Sequence, residues 1–146
     1  MKVGASPKVA CVLLADVATG EQGAELVDAF DITTSGIGTV ERVHDLAQQL
    51  KGRLPGLVTD VVVVQRADFS GRGGSQQGRL DRLMMEGALV HAARSLNVHT
   101  LLRTGRDTGI ACGSDKNGAI AEGATFDGAR KEAAAAALSG LRRPEI

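Results

Sequence analysis

The chain has 146 residues in which 17 Lys/Arg balance 17 Asp/Glu; this fits one domain with a single sizeable core and excludes a generally basic nucleic-acid coat. Three Phe with no Tyr and no Trp leave Val, Leu and Ala to fill that core and exclude base stacking on exposed aromatics as the main recognition mode. There is no signal-peptide pattern, no apolar run of about 18 residues and no metal-ligand spacing around Cys11 and Cys112, so a soluble, reduced, cytoplasmic protein without membrane attachment is expected.

Residues 1–7 read as a short flexible lead-in, residues 8–141 as one domain and residues 142–146 as a tail. The apolar run 8–17 reads as a buried strand that admits one carboxylate, Asp16, near its end, and Cys11 within it as a buried small hydrophobe. Turn residues Thr19, Gly20 and Gly23 follow. Residues 24–32 alternate loosely, Leu26, Phe30 and Ile32 against Glu25, Asp28 and Asp31, and predict a half-exposed strand hairpinned onto the first. Residues 33–38 could add a short third strand.

Thr39 reads as a helix N-cap. Val40, Val43, Ala47, Leu50 and Leu54 then recur at helical spacing, and Pro55-Gly56 ends the helix. Four consecutive valines, 61–64, are too β-branched for a comfortable helix and too few for a membrane span. They predict a strand buried on both faces and therefore central in a sheet. Ligands of open α/β sheets collect outside the carboxyl ends of strands, which brings Gln65, Arg66 and Asp68 forward as candidates.

The loop Ser70-Gly71-Arg72-Gly73-Gly74-Ser75 lacks a Walker ending and reads either as a phosphate-receiving turn or as a linker. A helix over 76–97 is predicted with Leu80, Leu83, Met84, Gly87 and Val90 on one face, and a strand over 98–102. Residues 104–125 hold five glycines without periodicity and read as a long loop. A last helix is expected from near Asp127, its N-cap, to Leu141. No His has ligand spacing with a Cys.

Charge is unevenly placed. Residues 1–65 carry five Lys/Arg against eight Asp/Glu, and residues 66–116 eight against five. The basic excess therefore follows the valine strand, mostly as Arg, the better fork for phosphate oxygens. Arg66, Arg72, Arg79 and Arg82 are its candidate nucleic-acid contacts, with a solvated helix face as the alternative meaning.

The predicted order is strand, strand, possible strand, helix, strand, helix, strand, loop, helix, an α/β arrangement with a mixed sheet. It is similar to the ribonuclease H-like fold, a mixed five-stranded sheet with helices on both faces, and within it to the RuvC-type Holliday junction resolvases. Four segments carry the likeness. They are the helix 40–54 running through Leu-Pro-Gly-Leu into Thr59-Asp60-Val-Val-Val-Val-Gln65; the Gly- and Ala-rich helix containing Gly78-Arg79, Gly87-Ala88-Leu89 and Ala92-Ala93; the strand Val98-His99-Thr100-Leu101-Leu102; and the closing Lys131-Glu132 followed by alanines.

The resemblance implies two-metal phosphodiester hydrolysis of branched or duplex DNA, with carboxylates holding Mg²⁺; a homodimer built through the helix 76–97 is expected of a structural or interaction protein that keeps the fold. The resemblance matches Asp16 to the first-strand Asp, Gln65 to the central-strand Glu and Glu132 or Asp127 to the last-helix position, so that Asp16 and Glu132 would be the metal ligands. Two departures stand against it. The family's Asp-x-Gly is absent after Asp16, and Gln65 offers a carbonyl oxygen but no negative charge. A degenerate, non-cleaving nucleic-acid-binding relative and a purely structural or interaction protein are the two alternatives to an intact nuclease.

Overall fold

The computed structural model describes residues 1–3, 8–17, 23–34, 38–68 and 75–145. Its elements are β1 (Lys2–Val3), β2 (Lys8–Asp16), β3 (Ala24–Thr33), α1 (Thr39–Arg53), a 3₁₀ turn (Leu54–Leu57), β4 (Val61–Gln65), α2 (Gln76–Ser95), β5 (His99–Arg103), α3 (Gly105–Ala111), α4 (Lys116–Ala124) and α5 (Lys131–Arg142). The turn around Thr19 and Gly20, residues 35–37 of the possible strand 33–38 and the glycine loop with Arg72 lie outside the described residues.

One mixed sheet in the order β3-β2-β1-β4-β5 organises the molecule. β4 is its hub, parallel to β1 on one side and to β5 on the other. β2 is antiparallel to both β1 and β3. The alternation of a strand sends successive side chains of β4 to opposite faces. Val62 and Val64 join Val9, Cys11 and Ile32 in a core closed by Leu46 and Leu50 of α1 and by Met85, Leu89, Ala92 and Ala93 of α2. On the other face Leu14, Cys112, Ala119, Ala135 and Leu138 form a second core beneath α4 and α5. A strand buried on both faces has to be apolar along its length, which is the physical content of the valine run. Within the first core, burial pushes the Cys11 thiol up to about 11, and Cys11 acts there as a small hydrophobe.

Several expectations change. Lys2–Val3, inside the segment read as a lead-in, forms a strand in the middle of the sheet. Thr39 is the first helical residue and makes no cap; its hydroxyl donates to Asp81 of α2 at 2.9 Å instead. Asp127 is not the N-cap of α5, which is Arg130. It accepts from the backbone of Ala129 and Arg130 in the turn before the helix. Residues 104–125 fold into α3 and α4, opened by a Thr104–Asp107 capping box and by Asp115. The tail is tied down, since Pro144 O meets His99 Nε2 at 2.8 Å. Among the described residues no helix is long and apolar enough to cross a membrane.

α2 also departs from its predicted face. Met85, Glu86, Leu89, Ala92 and Ala93 are the residues it buries, while Leu80, Leu83 and Met84 stay exposed. The helix is 20 residues long against five for β4, about 30 Å against about 16 Å. It packs on the sheet through its second half only.

α4 and α5 approach closely at Gly123. A Cβ there would stand 2.3 Å from Lys131 O and 2.7 Å from Ala135 N. Gly123→Ala gains about 1 kcal/mol of helix propensity, but the obstacle is backbone and cannot swing aside. A net loss of about 1–3 kcal/mol is expected from overpacking, read as a lower urea midpoint at unchanged slope.

Candidate nucleic-acid interface and strand-end polar cluster

Gln65 closes β4 and is 1% exposed. Sheet alternation puts its side chain on the α5 face. There its Oε1 accepts from Thr108 Oγ1 at 3.3 Å and its Nε2 lies 3.5 Å from Glu132 Oε2. Lys2 pairs in register with Gln65. Its Nζ donates to Arg66 O at 3.1 Å and stands 3.3 Å from the same Glu132 oxygen. The structure therefore assembles Lys2, Gln65, Thr108 and Glu132 at the carboxyl ends of β1 and β4.

Asp16 is not part of this group. Lys2 is level with both Ala10 and Gln65, so Ala10 and Gln65 share one height in the sheet. From Ala10, β2 runs six residues further to Asp16 in the direction opposite to β4, about 20 Å along the sheet. Asp16 ends exposed at the far edge. The match of Asp16 to the first-strand Asp fails because a strand precedes β2, and that strand ends beside Gln65. The residues that follow it in sequence, Gly4-Ala5-Ser6-Pro7, contain no carboxylate. Asp68 does not substitute, because it is exposed and ion-paired with Lys116.

A second carboxylate escaped the sequence reading. Glu86 is 3% exposed on the core side of α2 and accepts from Ala67 N at 2.7 Å. Burial raises its pKa above the ordinary glutamate value; the Ala67 hydrogen bond and the charges of Lys2, Arg66 and Arg82 oppose the rise. A carboxylate three residues before Leu89 on a helix that buries Met85, Leu89 and Ala93 was the available signal. Lys2 gave none, since a two-residue strand has no periodicity.

Arg66 extends from the end of β4, and its N–H donates to Arg103 O at 2.7 Å. Arg82 is half-buried on the projecting part of α2, close enough to Glu86 to act on it electrostatically. Arg79 is half-buried one turn earlier. Arg103 turns inward, where its guanidinium is held by Ser139 Oγ and Arg143 O. The amino-terminal half of α2 and the strand ends thus share one end of the molecule with Lys2, where Arg66, Arg79 and Arg82 stand among the carboxylates Asp81, Glu86 and Glu132.

The donor set does not fit two Mg²⁺ ions. Such a pair needs several carboxylates to offset the repulsion between the metals. Here one carboxylate, Glu132, meets an amide and an ammonium. Among the described residues no three His, Cys, Asp or Glu side chains converge to hold a metal.

A five-stranded mixed sheet in the order 3-2-1-4-5, with α1 and α2 on one face and α4 and α5 on the other, is a ribonuclease H-like α/β fold. Its form is that of RuvC. Thermus thermophilus RuvC superposes with a TM-score of 0.74 at 17% identity, covering 98% of this chain and 92% of that one. T. thermophilus RuvC in complex with a Holliday junction substrate does so with the same score and identity, over 98% and 91%. No protein-family model and no curated protein matches the sequence.

Glu86 makes a pH prediction. Its folded-state pKa is raised, so between the ordinary glutamate value of 4.5 and the raised one the folded state binds more protons than the unfolded state. Stability then falls as pH rises through that window. Glu86→Gln keeps an acceptor for Ala67 and removes the titration. Urea melts on either side of the window should show the variant gaining on the wild type as pH rises; a constant difference would place Glu86 outside the linkage.

Proposed function

We propose that this protein binds structured nucleic acid through a RuvC-like fold and does not cleave it by the two-metal route. The observation that carries the reading is the Lys2 ammonium held between Glu132 and the end of β4, where the resemblance implies a cation between carboxylates. A fixed ammonium satisfies Glu132 without a metal and cannot activate a water as a metal does. Gln65 completes a neutral, hydrogen-bonded arrangement with Thr108.

Binding rests on Arg66 and Arg82 and on the Arg79 side of α2, together with the likeness to a RuvC solved on a Holliday junction. These side chains would meet phosphates, which position a duplex without reading its sequence. Arg72 belongs to the same proposal by sequence position alone. Self-association through α2 is part of it too, because Leu80, Leu83 and Met84 leave an apolar strip on the part of the helix that projects past the sheet.

A four-way DNA junction with Mg²⁺ or Mn²⁺ is the decisive substrate. Saturable binding without cleavage is expected, and Arg66→Ala and Arg82→Ala should each weaken binding and lower the salt slope by about one unit. Gln65→Glu alone should not restore cutting, because Lys2 remains between the carboxylates. Cleavage abolished by Glu132→Gln would restore the nuclease reading. No affinity for junction, duplex or single strand would leave an interaction protein that has kept the fold.

Self-association has its own readout. Met84→Glu places a charge in the exposed strip and touches no core residue. Sedimentation should then show a lighter species than wild type at the same concentration, with the thermal midpoint unchanged.

A further inference from the structure

The three residues that follow β4 are tied down one by one. Arg66 donates its N–H to Arg103 O of β5 and accepts from Lys2 Nζ of β1 through its carbonyl. Ala67, 5% exposed, donates its N–H to Glu86 of α2 at 2.7 Å. Asp68 is ion-paired with Lys116 of α4. Of the three ties that use an ionisable side chain, only the one between Ala67 and Glu86 is buried. A hydrogen bond to an ionised carboxylate is about twice as strong as one between neutral groups, so Glu86 sets the path of the chain on which Arg66 stands.

The charge of Glu86 is shared by three cations. Lys2 on β1, Arg66 at the end of β4 and Arg82 one turn earlier on α2 all act on it. Arg42, which α1 brings against α2, is engaged by Asp81 instead, and Glu132 of α5 is ion-paired with Lys2. Burial pushes the Glu86 carboxyl toward its neutral form, and the three cations and the Ala67 N–H hold it toward the ionised one. Two of those cations, Arg66 and Arg82, are half-buried residues of the proposed phosphate-binding surface. A phosphate that draws their guanidiniums outward removes compensation from Glu86 and adds a negative charge nearby. Both effects favour the neutral carboxyl. The protonated acid still offers a carbonyl oxygen to the Ala67 N–H, so the chain keeps its path while the surface loses one negative charge.

Building on the nucleic-acid-binding reading, we infer that Glu86 is a positioning residue of the interface that presets Arg66 and takes up a proton when phosphate binds. Affinity for nucleic acid is thereby coupled to pH through a buried group that does not touch the ligand. Because the bound state holds the proton more tightly than the free state, binding strengthens as pH falls through the interval between the two ionisations. A single proton bounds the effect at about tenfold in affinity per pH unit.

The test is the affinity of wild type and Glu86→Gln for a four-way DNA junction at fixed salt, from about pH 5 to about pH 8, with the fold of each checked by circular dichroism. Glu86→Gln keeps the acceptor for Ala67 and removes the titrating group, so wild-type affinity should fall with rising pH by more than the variant's. Whatever His44, His91 and His99 contribute in this range is common to both. The amide stands for the protonated acid, and at the alkaline end the variant should bind more tightly than wild type by about threefold or more. Proton uptake on binding, read by calorimetry in two buffers of different ionisation enthalpy, should be smaller in the variant. Glu86→Ala leaves the Ala67 N–H without its partner and should weaken binding at every pH, and Arg66→Ala should then cost less in that background than in wild type. Parallel pH profiles with equal proton uptake, or a folded Glu86→Gln that binds more weakly than wild type throughout, would overturn the coupling and leave the nucleic-acid reading standing. A wild type that binds neither junction, duplex nor single strand at any pH would overturn both.

Discussion

Everything in this fold is referred to the double burial of β4. Val62 and Val64 must leave water on one face and Val61 and Val63 on the other, so helices have to cover both sides of the sheet. Fully burying a branched apolar side chain contributes about 1.5–3 kcal/mol, and four in succession make β4 the element that its neighbours cannot avoid. Once it is central, strand direction decides which polar residues meet. β1 and β5 run with it and deliver Lys2 and Arg103 to the same end as Gln65. β2 runs against it and carries Asp16 away.

That vectorial constraint accounts for the chemistry at the strand ends. Glu132, on the first turn of α5, stands half-exposed beside the ends of β1 and β4. Lys2 is the side chain that the parallel pairing brings within reach. With its own side chain 16% exposed and the Glu132 side chain 40% exposed, the pair is half solvated, and such pairs contribute little to stability. Its significance is positional. It sets an ammonium and an amide beside Glu132 at the ends of β1 and β4, with Arg66 and Arg82 half-buried at the same end.

Much of the fold was legible in the sequence because period-2 and period-3.6 patterns are local. The valine strand, the β2–β3 hairpin, α1, α2 and β5 all fall close to where their apolar spacing puts them. Residues 104–125 were not legible, because their glycines look like breaks. The structure uses Gly109 and Gly123 for close backbone approach inside helices, where a Cβ would stand 2.4 Å from Asp115 C and 2.3 Å from Lys131 O. Half of the candidate site was legible: Gln65 and Glu132 do meet. Asp16 was misplaced because a spacing pattern shows that a strand exists but not that another precedes it. On α2 the periodicity showed two apolar stripes without telling which one the sheet covers.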